Sequence, residues 1–143
     1  MIVITGGNKH LRAIAESTIL CATKELMPRI RKINLEVKIK KGLQKEGGIG
    51  FCTNWGNREF EIEIEKELGL REFITALCHE MVHVKQGVRG ELTEATGQQY
   101  WKGKNHTETE YWSQPWEKEA YRKERKLAQL VWRLHCEHSR TRG

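Results

Sequence analysis

The sequence predicts an α+β fold: a small three-stranded sheet, antiparallel or mixed, packed against an N-terminal helix, a central helix and a long C-terminal helix. Three observations lead there. Residues 33–40 and 59–65 alternate apolar and polar side chains, the period of a half-buried strand. Residues 70–87 and 116–134 repeat apolar side chains three and four apart, the period of a helix. The strand patterns also fall together between helices instead of alternating with them, which favours α+β over a parallel α/β sheet. At 143 residues, with no internal repeat and no linker, the chain is expected to form one domain over 1–143.

Each element has a local cause. Met1 to Thr5 is apolar but far too short for a signal peptide, and no positive segment precedes its apolar run. Asn8 can cap a first helix that runs to about Leu26 and is stopped by Met27-Pro28. The first strand sets Ile33, Leu35, Val37 and Ile39 against Asn34, Glu36, Lys38 and Lys40. Gly47, Gly48 and Gly50 mark a turn before a second strand at residues 49–55, which ends in Asn54-Trp55-Gly56-Asn57. The third strand sets Phe60, Ile62 and Ile64 against Glu59, Glu61, Glu63 and Glu65. An exposed edge strand beside the next helix offers backbone pairing to an extended peptide.

The central helix gathers Leu70, Phe73, Ile74, Leu77, Met81 and Val84 on one side. His79, His83 and Gln86 fall on the other with Glu72 and Thr75, outside the core stripe. Gly87 to Gly90 end it. Residues 91–114 show no periodicity, and an irregular stretch of that length inside a domain is usually functional or partly disordered. Ser113 and Pro115 then open the last helix, which continues to about His138.

Composition removes whole classes of chemistry. The chain contains no Asp, which excludes Asp dyads and Ser-His-Asp triads and leaves every carboxylate role to Glu. Cys21, Cys52, Cys78 and Cys136 are widely spaced and form no C-x-x-C pair, as expected for reduced thiols in a cytoplasmic protein. No apolar run approaches the roughly 20 residues of a membrane span, so no membrane role is expected. The net charge is +6, with cations grouped at 29–41 and 118–142. Such groups either bind nucleic-acid phosphates or are the solvated faces of a strand and a helix.

His79-Glu80-Met81-Val82-His83 carries the most specific chemistry. It reads H-E-x-x-H, and on a helix the two imidazoles lie one turn apart on one face, able to bind one metal ion. Glu80 stands beside that ion, about 100° around the helix, where a general base can take a proton from water. A catalytic zinc site needs a third protein ligand and an open position. The candidates are Glu117, Glu119 and His106, with Glu91 and Glu94 weaker. On the last helix the apolar stripe is Trp116, Ala120, Leu127, Val131 and Leu134. Glu117 lies about 60° from it and Glu119 about 100°, so Glu117 is expected to face inward more, and Glu124 one heptad on leans the same way.

Residues 76–86 resemble the active-site helix of H-E-x-x-H zinc metallopeptidases. Residues 115–120, Pro-Trp-Glu-Lys-Glu-Ala, resemble the E-x-x-A element of the gluzincins, in which the first Glu, here Glu117, is the third zinc ligand. Size, basic charge and the strand before the His helix also resemble the SprT-like metallopeptidases, over roughly residues 30–125. Two departures stand out: Tyr121 occupies the place of the Asp that often buttresses a gluzincin histidine, and SprT-like proteins use a third His, for which only His106 is placed in a loop.

The resemblance implies a zincin-like fold and a zinc-dependent peptidase with peptide or protein substrates. His79, His83 and Glu117 would hold Zn2+, and Glu80 would act as general base toward a zinc-activated water. Tyr100, Tyr111 and Tyr121 are candidate donors to the oxyanion, and Gln86 could orient a ligand or line the cleft. The alternative is an SprT-like, DNA-associated protein in which nucleic-acid binding is primary and the metal structural or vestigial. Two minor features remain: His135-Cys136-Glu137-His138, a weak metal cluster at a helix end, and Trp101, Trp112 and Trp116, expected mainly in packing.

Overall fold

Asn8 caps the first helix as its position predicts. In the computed structural model, which describes the backbone of residues 1–142 and the side chains of residues 1–137, its Oδ1 accepts from the Leu11 N–H at 2.8 Å. That helix, α1, spans Lys9–Leu26 and buries Ile14, Ala15, Ile19 and Ala22 on one face. Before it, Ile2–Gly6 forms a strand, β1, that the sequence pattern did not reveal. Five residues at a chain start carry too little alternation to be read. They pair because β2, Asn34–Lys40, offers a free edge, with Ile2 opposite Leu35 and Ile4 opposite Val37. The pairing is parallel, so β1, α1 and β2 form a crossover unit.

Two more strands complete the sheet: β3, Gly50–Gly56, and β4, Glu59–Glu65. The order is β1-β2-β4-β3, with β3 antiparallel to β4 and the other pairs parallel. The expected three-stranded sheet is therefore four-stranded and mixed, in an α+β fold with three helices among the described residues. β4, the strand just before the His helix, is interior, and the free edge near that helix belongs to β3. Leu35, Val37, Ile39, Phe60, Ile62 and Ile64 are buried on the inner face. The outer face carries the cross-strand pairs Lys38–Glu61 (3.0 Å) and Lys40–Glu63 (2.7 Å), half-solvated and of small energetic weight.

The central helix, α2, spans Leu70–Val88. Its apolar stripe packs on the sheet and α1, as Phe73, Leu77, Met81 and Val84 require. The opposite face, expected outside the core, is also covered. His79, Lys85 and Gln86 are buried because the last helix, α3, Pro115–Arg142, lies across them, and Glu80 is buried beside β3. The two helices run antiparallel: Arg71 meets Trp132, His79 meets Glu124 and Glu117, and Gln86 meets Trp116. A wheel locates the strongest apolar stripe, but it does not reveal a polar face satisfied by a second helix.

Residues 91–114 are more regular than expected. They hold a small antiparallel sheet of β5 (Leu92–Ala95), β6 (Gln98–Trp101) and β7 (Lys104–Asn105). The two hairpins turn at Thr96-Gly97 and Lys102-Gly103, each with both residues at positive φ, the two-residue turn that matches strand twist. Trp116 is buried, whereas Trp112 is 76% exposed and does not pack in a core. The side chain of His138 lies outside the described residues. No described helix is long and apolar enough to cross a membrane.

Candidate metal centre

One turn of α2 sets the first two donors. The His79 and His83 rings meet edge to face with centroids 4.9 Å apart. The first turn of α3 brings in the third. Glu117 Oε1 lies 2.9 Å from His79 Nε2 and 3.2 Å from His83 Nε2. The three side chains offer ligand atoms that all lie within 4.8 Å of one another. Two imidazole nitrogens and one carboxylate oxygen suit zinc, whose bonds of about 2.0–2.2 Å leave tetrahedral ligand atoms a little over 3 Å apart. The donor set could therefore hold such an ion, and the two distances from Glu117 match that spacing.

The far side of His83 is fixed as well. Its Nδ1 lies 2.8 Å from Gln86 Oε1. The Gln86 amide nitrogen donates to the Trp116 carbonyl at 2.9 Å and to Glu119 Oε1 at 3.0 Å. The amide oxygen must then face His83, which makes Nδ1 the donor and leaves Nε2 free for a metal. Behind Gln86, the buried Lys85 ammonium bridges Glu119 (2.9 Å) and Glu91 (2.8 Å). His79 has a looser neighbour, with Glu124 Oε1 3.6 Å from its Nδ1.

These pairings sort the candidate third ligands. Glu119 is 7% exposed and thus more buried than Glu117, the reverse of the wheel's ranking, because α2 ends over it and Lys85 and Gln86 neutralise it. Glu119 and Glu91 are both held by Lys85. His106 bonds Thr109 and stands edge-on to Trp116, with centroids 6.2 Å apart. Glu94 is exposed on β5. Of the five, only Glu117 reaches the histidines. The Lys85 network had one faint trace in the sequence, a lysine at the border of the apolar stripe of α2.

Glu80 is 7% exposed and lies flat against β3. A Cβ at Gly50 would come within 3.0 Å of Glu80 Oε2, so a glycine there makes room for the carboxylate. Burial pushes the Glu80 carboxyl above its ordinary range, against the pull of His83 and His79. Tyr111 sits on a 3-10 turn at Tyr111–Ser113, its hydroxyl 3.4 Å from Glu117 Oε1 and 3.0 Å from the Tyr121 hydroxyl. Burial raises the Tyr111 phenol, and its bond to Tyr121 adds to that, so it remains a proton donor. Tyr121 stands edge-on to His79, 4.6 Å between centroids. Tyr100 bonds Gln98 in the small sheet and takes no part in this cluster.

The cluster opens into a cleft of about 680 Å³. Gly48, Gly50 and Cys52 form one wall, and Tyr111 and Tyr121 the other. Past His83 a depression continues between β3 and β5, bordered by Asn54, Leu92 and Glu94. No protein-family model, curated protein or solved structure matches this chain. Without a metal, burial opposes charge on His79, but the Glu117 and Glu124 carboxylates outweigh it and raise the imidazole to about 10. Burial pushes the Glu117 carboxyl up, but its bonds to His79 and His83 outweigh that and hold it down at about 2.

Proposed function

We propose that this protein is a zinc-dependent peptidase of zincin-like fold. The observation that carries the reading is the convergence of His79, His83 and Glu117 on one point beside a buried Glu80, at the floor of a cleft walled by a strand edge. His79 and His83, as neutral imidazoles, and Glu117 would hold the ion. Bound zinc supplies Lewis acidity, which acidifies water and polarises a carbonyl. Glu80, with its raised pKa, takes the proton from water and delivers it to the leaving amine. Tyr111, beside Glu117, is the nearest phenol donor for a developing oxyanion, and Tyr121 orients it. The free edge of β3 gives an extended substrate backbone a pairing partner.

Zinc content and hydrolysis of unstructured protein test the reading together. Glu80→Gln should retain about one zinc per chain and lose hydrolysis by a factor of about 100 or more. Glu117→Ala should lose most of its zinc. Well-folded wild type that binds no zinc would overturn the proposal.

A second reading has one observation in its favour. Lys118, Arg122, Lys126 and Arg133 are exposed along α3, while Glu117, Glu119 and Glu124 turn toward α2. That leaves a cationic face suited to nucleic-acid phosphates. In that reading Glu80→Gln keeps full function, and binding weakens steeply with salt.

A further inference from the structure

Beyond Tyr121 and Glu124, which line both spaces, the cleft continues into a groove of about 720 Å³ between the start of α2 and the middle of α3. Arg71, Arg125 and Trp132 line it. The Arg71 guanidinium lies 4.8 Å from the centre of the Trp132 ring. A cation–π contact of this kind leaves the N–H donors of the guanidinium unused. Among the described residues neither Arg71 nor Arg125 forms an ion pair, whereas nearby Arg122 and Lys123 both reach Glu119. The groove's one carboxylate, Glu124, is mostly buried and leans on His79. Two guanidinium groups without an ion-pair partner, that of Arg71 over the Trp132 ring, thus line the end of a cleft whose opposite end carries Glu94 and amides. A guanidinium fork binds a carboxylate in two-point fashion.

We propose that this groove is a substrate subsite for a carboxylate. The inference rests on the peptidase reading and names the substrate class of that site. Arg71 precedes His79 by eight residues and Arg125 follows Glu117 by eight, in each case about 12 Å of helix. An extended peptide covers that distance in about three to four residues. The carboxylate is therefore an Asp or Glu side chain three to four residues from the scissile bond, or the C-terminal carboxylate of a short peptide.

Zinc-loaded protein is given fluorogenic peptides that differ only in where one Glu stands, each with a free or an amidated C terminus. A Glu three or four residues from the cut, or a free C terminus at that distance, should raise kcat/KM about tenfold or more, as a charge-assisted hydrogen bond allows. A gain that follows Glu identifies the side chain, and one lost on amidation identifies the C terminus. Arg71→Ala and Arg125→Ala should each remove the gain while leaving zinc content and hydrolysis of the neutral peptide unchanged. No gain at any position, or a gain that survives both variants, overturns the proposal.

Binding separates this inference from the reading beneath it. Labelled acidic and neutral peptides are titrated into zinc-loaded Glu80→Gln with and without the arginine substitutions. Tighter, arginine-dependent binding of the acidic peptide supports the groove even if wild type cleaves nothing, an outcome that sinks the peptidase reading alone. Equal binding of both peptides sinks the groove, whatever is cleaved.

Discussion

Gln86 shows how much of the centre one neutral side chain decides. Its amide meets His83, Trp116 and Glu119 at once, so it fixes the His83 ring and ties α3 to α2. Gln86→Ala leaves His83 Nδ1 without its acceptor and should weaken zinc binding about 10–100-fold in chelator competition. Unchanged affinity in a folded variant would mean that the ring needs no such partner. Gly50 is the complementary case. Gly50→Ala sets a Cβ about 3.0 Å from the Glu80 carboxylate, so hydrolysis should fall at least tenfold while zinc content is preserved. The spacing of His79, Glu80 and His83 made them legible in the sequence, since a helix guarantees that one turn brings the rings together. Glu117 was legible as the preferred one of five candidates, through the E-x-x-A resemblance and through a wheel that ranked it more inward than Glu119, which is in fact the more buried. Choosing among them depends on which carboxylates Lys85 neutralises, and a pairing across 34 residues leaves no periodic trace.

At the scale of elements, α2 is the pivot, with sheet and α1 on one side and α3 on the other. Lys85 joins that second interface to the small sheet through Glu91 and Glu119. Lys85→Ala leaves two carboxylates without their shared cation. It should cost about 3 kcal/mol in denaturant unfolding, toward the low end for a broken buried pair because Lys123 still reaches Glu119. A loss below about 0.5 kcal/mol would mean that water replaces the ammonium freely. The long elements were readable because each buries a face: α1, β2, β4 and α2 carry the period their burial demands. β1 and β5 to β7 were not, because they are short and mostly unburied, so their hydrogen bonds impose no apolar alternation. The Thr96-Gly97 and Lys102-Gly103 turns, six residues apart, were the available signal, and they are less specific than Asn-Gly.

For the molecule as a whole, the metal-free centre is an ion-paired cluster, and its pH dependence opposes that of the metal-bound form. His79 rises from 6.5 to about 10, so its contribution to the metal-free fold is complete below 6.5 and is lost as pH climbs through 10. Glu117 falls from 4.5 to about 2, so its contribution is present above 4.5 and is lost as pH drops through 2. Between about 4.5 and 6.5 both contributions are whole, and above that range the one from His79 declines. Zinc takes neutral imidazoles and must displace the protons this cluster retains, so its apparent affinity rises with pH over the range in which stability without metal falls. The Tm gap between zinc-loaded and chelator-treated protein should therefore widen steadily from pH 6 to pH 9. Zinc titrations in buffers of different ionisation enthalpy should show proton release near neutrality that shrinks toward pH 10. A Tm gap independent of pH, with no protons released, would mean that the imidazoles are already neutral and that Glu117 holds them by hydrogen bonds alone.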